Sequence, residues 1–165
     1  GSMIGTMALV PQIVDGVGLP VIAAGGIMDG RGIAAALALG AQAVQMGTAF
    51  LVTKEAGTHP SWKEKIRGAC DTSTRTTKTF TGRAARGIDN EFMQRMQAYE
   101  DDVPPYPIQN ALTNDIRLAA RKANLPDYLS LWAGQGAGIS KARQADIPIS
   151  ILMQQLIAET SQTLA

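Results

Sequence analysis

Two glycine-containing turns, each directly after a short apolar run, place the strongest constraint on how this chain can fold. The first run, residues 20–24, is continuously apolar and is followed by Gly25 and Gly26. The second run, residues 43–46, is followed by a glycine and a threonine. Short continuous apolar runs are typical of parallel strands that are covered on both faces. We therefore predict two neighbouring units, each a strand followed by a glycine turn and a helix.

The residues between the two runs have the features of a helix. Asp29 is a suitable N-cap, residues 33–39 are rich in Ala and Leu, and Gly40 is a suitable residue just beyond the C-terminus. Gly47 and Thr48 repeat the glycine turn at the spacing of adjacent βα units. Such turns expose bare backbone N–H groups at helix N-termini, which attract anions. Two of them in succession form the phosphate clamp of (β/α)8 barrels, so we predict a phosphate site here.

Composition narrows the function classes. The 165 residues are 45% hydrophobic and 18% charged, as in an ordinary globular domain, and the formal net charge of +1 favours neither nucleic acid nor a membrane surface as partner. The single cysteine has no partner for an internal disulfide, so a reducing, cytoplasmic location is expected. There is no apolar run of about 18 residues and no signal-peptide pattern. Residues 1–3 are interpreted as a cloning scar.

The run AAGGIMDGRGIAAALALGAQAVQMGTAFL, residues 23–51, is similar to the FMN-phosphate segment of the nitronate monooxygenase family, formerly called 2-nitropropane dioxygenases. The resemblance begins at residue 8 and continues through residues 81–87 and 132–136. The family also includes flavin-dependent enoyl-ACP reductases and NADH:quinone reductases. The resemblance implies a flavoprotein whose cofactor is FMN, an oxidoreductase that acts on a small-molecule alkyl nitronate and O₂, with an aldehyde or ketone and nitrite among the products.

The same resemblance implies which residues bind the cofactor. Contacts with the FMN phosphate fall on Gly25, Gly26, Gly47 and Thr48. Three further residues have a cofactor role as one interpretation and an ordinary structural role as the other, namely Gln45 and Met46 at the end of a strand and Gln135 in a late glycine-rich loop. No catalytic residue and no metal ligand is assigned, because the family's catalytic histidine follows a glycine pair in a segment upstream of this chain.

Four other reactive or charged residues are expected to have ordinary structural or surface roles. His59, the only histidine, does not match the family's motif and is expected on the surface of a turn. Cys70 has no neighbouring base in sequence and is interpreted as a structural or incidental thiol. Arg83 and Arg86 could bind a phosphate or a carboxylate, but solvated loop arginines are the ordinary case.

The predicted fold class is α/β, the C-terminal portion of a TIM (β/α)8 barrel with its last two βα units, plus a mostly helical C-terminal extension. A complete barrel has eight strands and about 250 residues, so the first six strands are expected to lie in a longer parent protein. After the scar, the predicted segments are a partial FMN-binding barrel segment at 4–71, an extended connection with a short helix at 72–107, and a helical region at 108–165.

Capping residues, prolines and apolar spacing predict further elements. Asp89 is expected to cap a helix, and the proline-rich residues 103–107 are interpreted as a rigid spacer. The other predicted elements are helices over residues 6–17, 60–66, 91–98, 114–124 and 148–160, and an extended segment over residues 72–81.

Alternatives to the nitronate enzyme stay open at this point. The isolated chain is expected to have little turnover, because the base and most flavin contacts should lie upstream. It could instead be a catalytically silent fragment that forms a homo-oligomer through exposed strand edges. A quinone or enoyl reductase, or another phosphate-binding barrel such as that of IMP dehydrogenase, are further alternatives. The segment 132–138 and the absence of a cysteine loop disfavour the last of these.

Overall fold

The computed structural model describes residues 3–165, which divide into two compact units. The first unit combines residues 3–57 with Ile139–Ala165, and the second unit is Thr58–Gly138. The cloning-scar interpretation concerns residues 1 and 2, which lie outside the described residues, together with Met3. The segment boundaries expected at 71/72 and 107/108 stay a prediction about the domains of the parent protein.

Eight α-helices and four strands follow one another along the described residues. In chain order they are α1 (Thr6–Gly16), β1 (Ile22–Ala24), α2 (Gly30–Ala38), β2 (Ala43–Gln45), α3 (Thr48–Leu51), α4 (Pro60–Gly68), β3 (Thr74–Thr77), β4 (Ala85–Ile88), α5 (Glu91–Met96), α6 (Ile108–Leu112), α7 (Asn114–Lys122) and α8 (Ile149–Leu164). Each predicted helix has a counterpart, with ends that differ by a few residues. Among the described residues, no helix is long and apolar enough to cross a membrane.

The first unit contains the predicted pair of parallel strands. Ala23 of β1 lies opposite Val44 of β2, and α2 connects the two strands. The structure therefore confirms an α/β unit with a parallel crossover. The expectation that β1 is covered on both faces is wrong in this chain, because Ala23 is 1% exposed whereas Ile22 is 61% exposed. No described element covers the Ile22 face of the strand.

Helix α8 completes the first unit at the C-terminal end of the chain. Its buried residues Leu152 and Leu156 form a cluster with Ile147, against which Ile33 of α2 and Met46 pack. A second cluster joins α1, β1 and α2, and its buried members are Val10, Ala23, Ile27, Ala36 and Ala41. The core of this unit is thus built from two stretches that are far apart in sequence.

The second unit is organised around a buried aromatic cluster beside a β-hairpin. Strands β3 and β4 pair in antiparallel fashion. The Phe80 side chain is fully buried, stacks on Phe92 with ring centroids 4.5 Å apart, and meets the edge of Trp132 at 5.7 Å. The sequence predicted the extended segment that contains β3 but missed β4. That strand, Ala-Arg-Gly-Ile, is short and has no alternation of apolar and polar residues.

The cap of α5 is Asn90, so the prediction that Asp89 caps this helix is wrong. The Asn90 side chain accepts a hydrogen bond from the Met93 N–H at 3.0 Å, and its amide donates to the Leu129 carbonyl at 2.8 Å. Asp89 instead accepts a hydrogen bond from Arg75 Nε at 2.7 Å. Asp89 and Asn90 are both suitable caps by residue type, and in the structure Asn90 caps the helix while Asp89 pairs with Arg75.

The proline-rich segment 103–107 lies within the second unit. A Cβ atom added to Gly82 would lie 2.2 Å from the Pro104 carbonyl oxygen, and Gly82 has a φ of +77°. The segment therefore packs closely against a glycine turn of its own unit, and does not act as a spacer between the two compact units.

Candidate functional site

The turn after β1 requires its two glycines. Gly25 has a φ of +110° and Gly26 a φ of +75°, conformations that L side chains rarely adopt. The Thr6 hydroxyl on α1 donates a hydrogen bond to the Gly25 carbonyl at 2.8 Å. A Cβ atom on Gly25 would lie 3.0 Å from the same hydroxyl oxygen. Helix α1 therefore supports this turn from one side, and both glycines keep the backbone uncovered.

The second predicted turn lies at the same edge of the sheet. Because β1 and β2 are parallel and Ala24 lies opposite Gln45, the chain leaves both strands on the same side. Gly26 and Gly47 are exposed, and a Cβ atom on either would meet no atom within 4 Å. The structure thus brings the two turns to one edge and leaves open space in front of both glycines. A phosphate bound by backbone groups needs such space.

Gln45 and Met46 differ in where their side chains lie. Gln45 is exposed at the end of β2, whereas Met46 is half-buried and packs against both core clusters of the first unit. Met46 also lines an apolar groove of about 340 Å³, together with Ile33, Phe50 and Leu156. The Met46 side chain therefore packs against the hydrophobic core of the first unit. A cofactor role for Gln45 and Met46 stays a prediction.

Gln135 is exposed and begins the 3-10 helix Gln135–Ala142. It belongs to the second unit, whereas the two glycine turns belong to the first. Its cofactor role stays a prediction.

The N-terminus of α2 does not present bare N–H groups, so this part of the sequence prediction is wrong. The Gly30 N–H donates to the Glu159 carboxylate at 2.9 Å, and the Gly32 N–H donates to the Asp29 carboxylate at 3.0 Å. The Asp29 cap itself is as predicted. A hydrogen bond from Arg143 lowers the pKa of Glu159, so this carboxylate is charged at neutral pH. Carboxylates therefore already occupy the start of α2, and the predicted anion site is limited to the glycine turns before the helix.

The other polar candidates lie in the second unit, and two of them have structural partners there. His59 is half-buried at the N-cap position of α4, and its Nδ1 lies 2.8 Å from the Ser61 hydroxyl. Arg86 donates to the Thr74 carbonyl at 2.9 Å across the hairpin, and Arg83 is exposed. Among the described residues, no group of three or more His, Cys, Asp or Glu side chains could hold a metal ion.

Cys70 has neighbours that the sequence analysis overlooked. The thiol is exposed, and its sulfur lies 3.2 Å from the Ser73 hydroxyl and 3.3 Å from the Thr72 hydroxyl. Hydrogen bonds from Ser73 and Thr72 lower the pKa of the Cys70 thiol to about 7. Hydroxyl donors stabilise a thiolate by hydrogen bonding to its sulfur, and a search of the sequence for neighbouring bases does not find them.

We expect the alkylation of Cys70 by iodoacetamide to reach half its maximal rate near pH 7. The thiolate is the nucleophile, so the rate rises with pH through the pKa. Replacing Ser73 by alanine should move the inflection upward, toward the ordinary thiol value of about 8.5. The measurement is a pH series of mass-spectrometric labelling with glutathione as the reference thiol. Coincident profiles for Cys70 and glutathione would contradict the prediction.

Comparison with known proteins places the chain in a family. A sequence profile described as nitronate monooxygenase matches residues 1–159. A probable nitronate monooxygenase from Staphylococcus haemolyticus (strain JCSC1435) is 47% identical over 154 residues, which are 93% of this chain and 43% of the relative. The chain thus spans less than half of that relative.

Two solved structures resemble the chain over nearly all of its length. A nitroalkane oxidase from Streptomyces ansochromogenes is 41% identical with a TM-score of 0.89, over 98% of this chain and 45% of that protein. FabK from Thermotoga maritima is 35% identical with a TM-score of 0.83, over 99% of this chain and 51% of that protein. With the profile match and the curated relative, these similarities lead to one conclusion: the chain belongs to the nitronate monooxygenase family.

Proposed function

We propose that the parent protein is an FMN-dependent oxidoreductase that oxidises alkyl nitronates with O₂, and that this chain supplies the anchor for the FMN phosphate. The observation that carries the proposal is the pair of open glycine turns at one sheet edge, in a member of the nitronate monooxygenase family. When bound, FMN would supply the redox chemistry by which a nitronate is oxidised by O₂, with an aldehyde or ketone and nitrite among the products.

The residues at the two turns have distinct roles in this anchor. Gly25 and Gly26 would let the phosphate oxygens approach backbone N–H groups, since neither carries a side chain and the turn is supported by Thr6. Gly47 would leave room for the phosphate at the second turn, and Thr48, at the start of α3, would add a hydroxyl. Contacts with the ribityl chain or the phosphate are proposed for Gln45 and Met46, and a cofactor role without an assigned contact is proposed for Gln135.

We assign β1 and β2 as the last two strands of the proposed barrel. The other strands would lie in the rest of the parent protein. The parallel register and the crossover through α2 support this assignment. The exposed Ile22 face and the exposed apolar side chains of α1 also support it, because a barrel neighbour would cover them. In the isolated chain these surfaces favour a homo-oligomer, since an unpaired strand edge binds another strand.

An FMN titration of the 165-residue chain, followed by flavin fluorescence with light scattering alongside, tests the proposal. We expect saturable binding in the micromolar range and weaker binding of riboflavin, which lacks the phosphate. A scattering mass above that of a monomer is expected at the same time, and nitronate turnover should be near zero. If FMN does not bind at about 100-fold higher concentration, or binds no better than riboflavin, the anchor assignment is wrong.

Enoyl reduction is the second candidate function, because the family resemblance includes flavin-dependent enoyl-ACP reductases, and FabK from Thermotoga maritima resembles this chain at 35% identity. The two activities separate cleanly in the full-length parent protein. An enoyl reductase consumes NADH in the presence of an enoyl thioester, whereas a nitronate enzyme consumes O₂ in the presence of a nitronate and needs no NADH. The activity with the higher kcat/KM identifies the function.

A further inference from the structure

Helices α2 and α8 touch at Gly30, the first residue of α2. A Cβ atom on Gly30 would lie 2.3 Å from Glu159 Cβ and 2.4 Å from the Thr160 nitrogen. Those atoms belong to the backbone of α8 or lie next to it, so they cannot rotate away. The start of α2 is therefore held against α8 at a separation that leaves no room for any side chain.

Glu159 adds a directional contact at this point. Its carboxylate accepts the hydrogen bond from the Gly30 N–H across 129 positions of sequence. Arg143 Nη2 donates to the same carboxylate oxygen at 2.8 Å, and Arg143 Nη1 donates to Gln155 at 2.8 Å. The Arg143 side chain is itself almost buried. A carboxylate at a helix N-terminus is stabilised by the helix dipole, and the arginine holds it in one orientation.

The residues between the glycine turn and Gly30 form a short, packed connection. Ile27 and Met28 are buried, and Asp29 accepts a hydrogen bond from the Gly32 N–H. A displacement of the helix start would therefore be passed to Gly26, because Ile27 and Met28 are buried and tightly packed side chains transmit such shifts. On its other side the turn is held by the Thr6 hydroxyl.

We propose that Glu159, aligned by Arg143, is a positioning residue that holds the Gly25–Gly26 turn in the shape that binds the FMN phosphate. The part of this inference that concerns FMN rests on the proposed function. Glu159 does not touch the cofactor in this proposal, since it acts through Gly30 and the buried connection. It follows that a residue near the C-terminal end of the chain controls affinity at a turn near its beginning.

Three variants of the 165-residue chain separate the effect of the Glu159 contact from that of its charge and from a general effect of mutating α8. Glu159→Ala removes the contact, Glu159→Gln keeps an acceptor of similar shape without the charge, and Gln154→Ala changes an exposed residue of the same helix as the control. Hydrogen exchange is measured by mass spectrometry on a peptide covering residues 24–29, which excludes the Gly30 amide that loses its partner directly. The dissociation constants of FMN and riboflavin are measured on the same proteins.

We expect Glu159→Ala to speed exchange of residues 24–29 about 5-fold or more and to weaken FMN binding about 10-fold, while riboflavin binding is unchanged. Glu159→Gln should recover part of both effects, and Gln154→Ala should match the unmodified chain. Unchanged exchange in Glu159→Ala overturns the positioning role, whether or not FMN binds. Equal losses for FMN and riboflavin also overturn it, because they indicate a general loss of structure.

The same data distinguish failure of the inference from failure of the proposed function. If the unmodified chain does not prefer FMN to riboflavin, the anchor assignment is wrong. In that case the exchange measurement alone decides whether Glu159 positions the turn.

Discussion

Replacing Phe80 by alanine is expected to lower the free energy of unfolding of the second unit by about 3–5 kcal/mol. The side chain is 0% exposed and contacts two other aromatic rings, so its removal leaves a cavity and also removes both ring contacts. Its neighbours Phe92 and Met93 are held by the capped helix α5, which limits how far the core can collapse. A loss of this size is a large part of the stability of an ordinary domain.

Urea unfolding followed by tryptophan fluorescence measures this loss, since Trp62 and Trp132 both belong to the second unit. The control is Tyr99→Ala, which removes an aromatic side chain that is 59% exposed. That variant should change stability by no more than about 0.5 kcal/mol. A loss below about 1.5 kcal/mol for Phe80→Ala would mean that the aromatic cluster is not the core of this unit.

The second large effect is expected at the proposed cofactor anchor. Replacing Gly47 by leucine should weaken FMN binding about 100-fold, which corresponds to about 2.7 kcal/mol. Gly47 has a φ of −103°, so a side chain there meets no backbone strain, and a Cβ atom would enter open space. The substitution therefore fills the volume assigned to the phosphate without disturbing the fold. Gly26 is less suitable as a probe, because any side chain at its φ of +75° is strained.

The control for this variant is Gly57→Leu. A Cβ atom on Gly57 also meets no atom within 4 Å, and its φ is not in the left-handed region. Both variants should unfold at the same urea concentration as the unmodified chain, and FMN affinity should fall only in Gly47→Leu. Equal affinity in the two variants would remove Gly47 from the site and with it half of the proposed anchor.

The sequence was sufficient for the parallel strand pair and its glycine turns because their signals are local. Asp29, Gly40 and the apolar runs each specify a cap, a helix end or a strand from their own neighbours. The family resemblance depends on the same residues. These features can be predicted without knowing which residues pack against them.

The features that the sequence missed depend on contacts between distant residues. Strand β4 has no pattern of its own and exists because β3 and the residues near Trp132 supply its partners. Asn90 caps α5, whereas Asp89 pairs with Arg75, which lies 14 positions away in sequence. Glu159 could not be connected with Gly30 by spacing, since 129 positions separate them. Such pairings follow from the tertiary fold, which a single sequence does not supply.

The contact between Gly30 and Glu159 has a consequence for synthesis of the chain. The first unit is interrupted by Thr58–Gly138, so its two stretches can meet only after the second unit has been translated. Until α8 leaves the ribosome, the start of α2 lacks its carboxylate partner and the cluster around Leu156 is incomplete. The nascent first unit must therefore stay incomplete while the second unit is synthesised, and during this interval its apolar surface is open to chaperones and to aggregation.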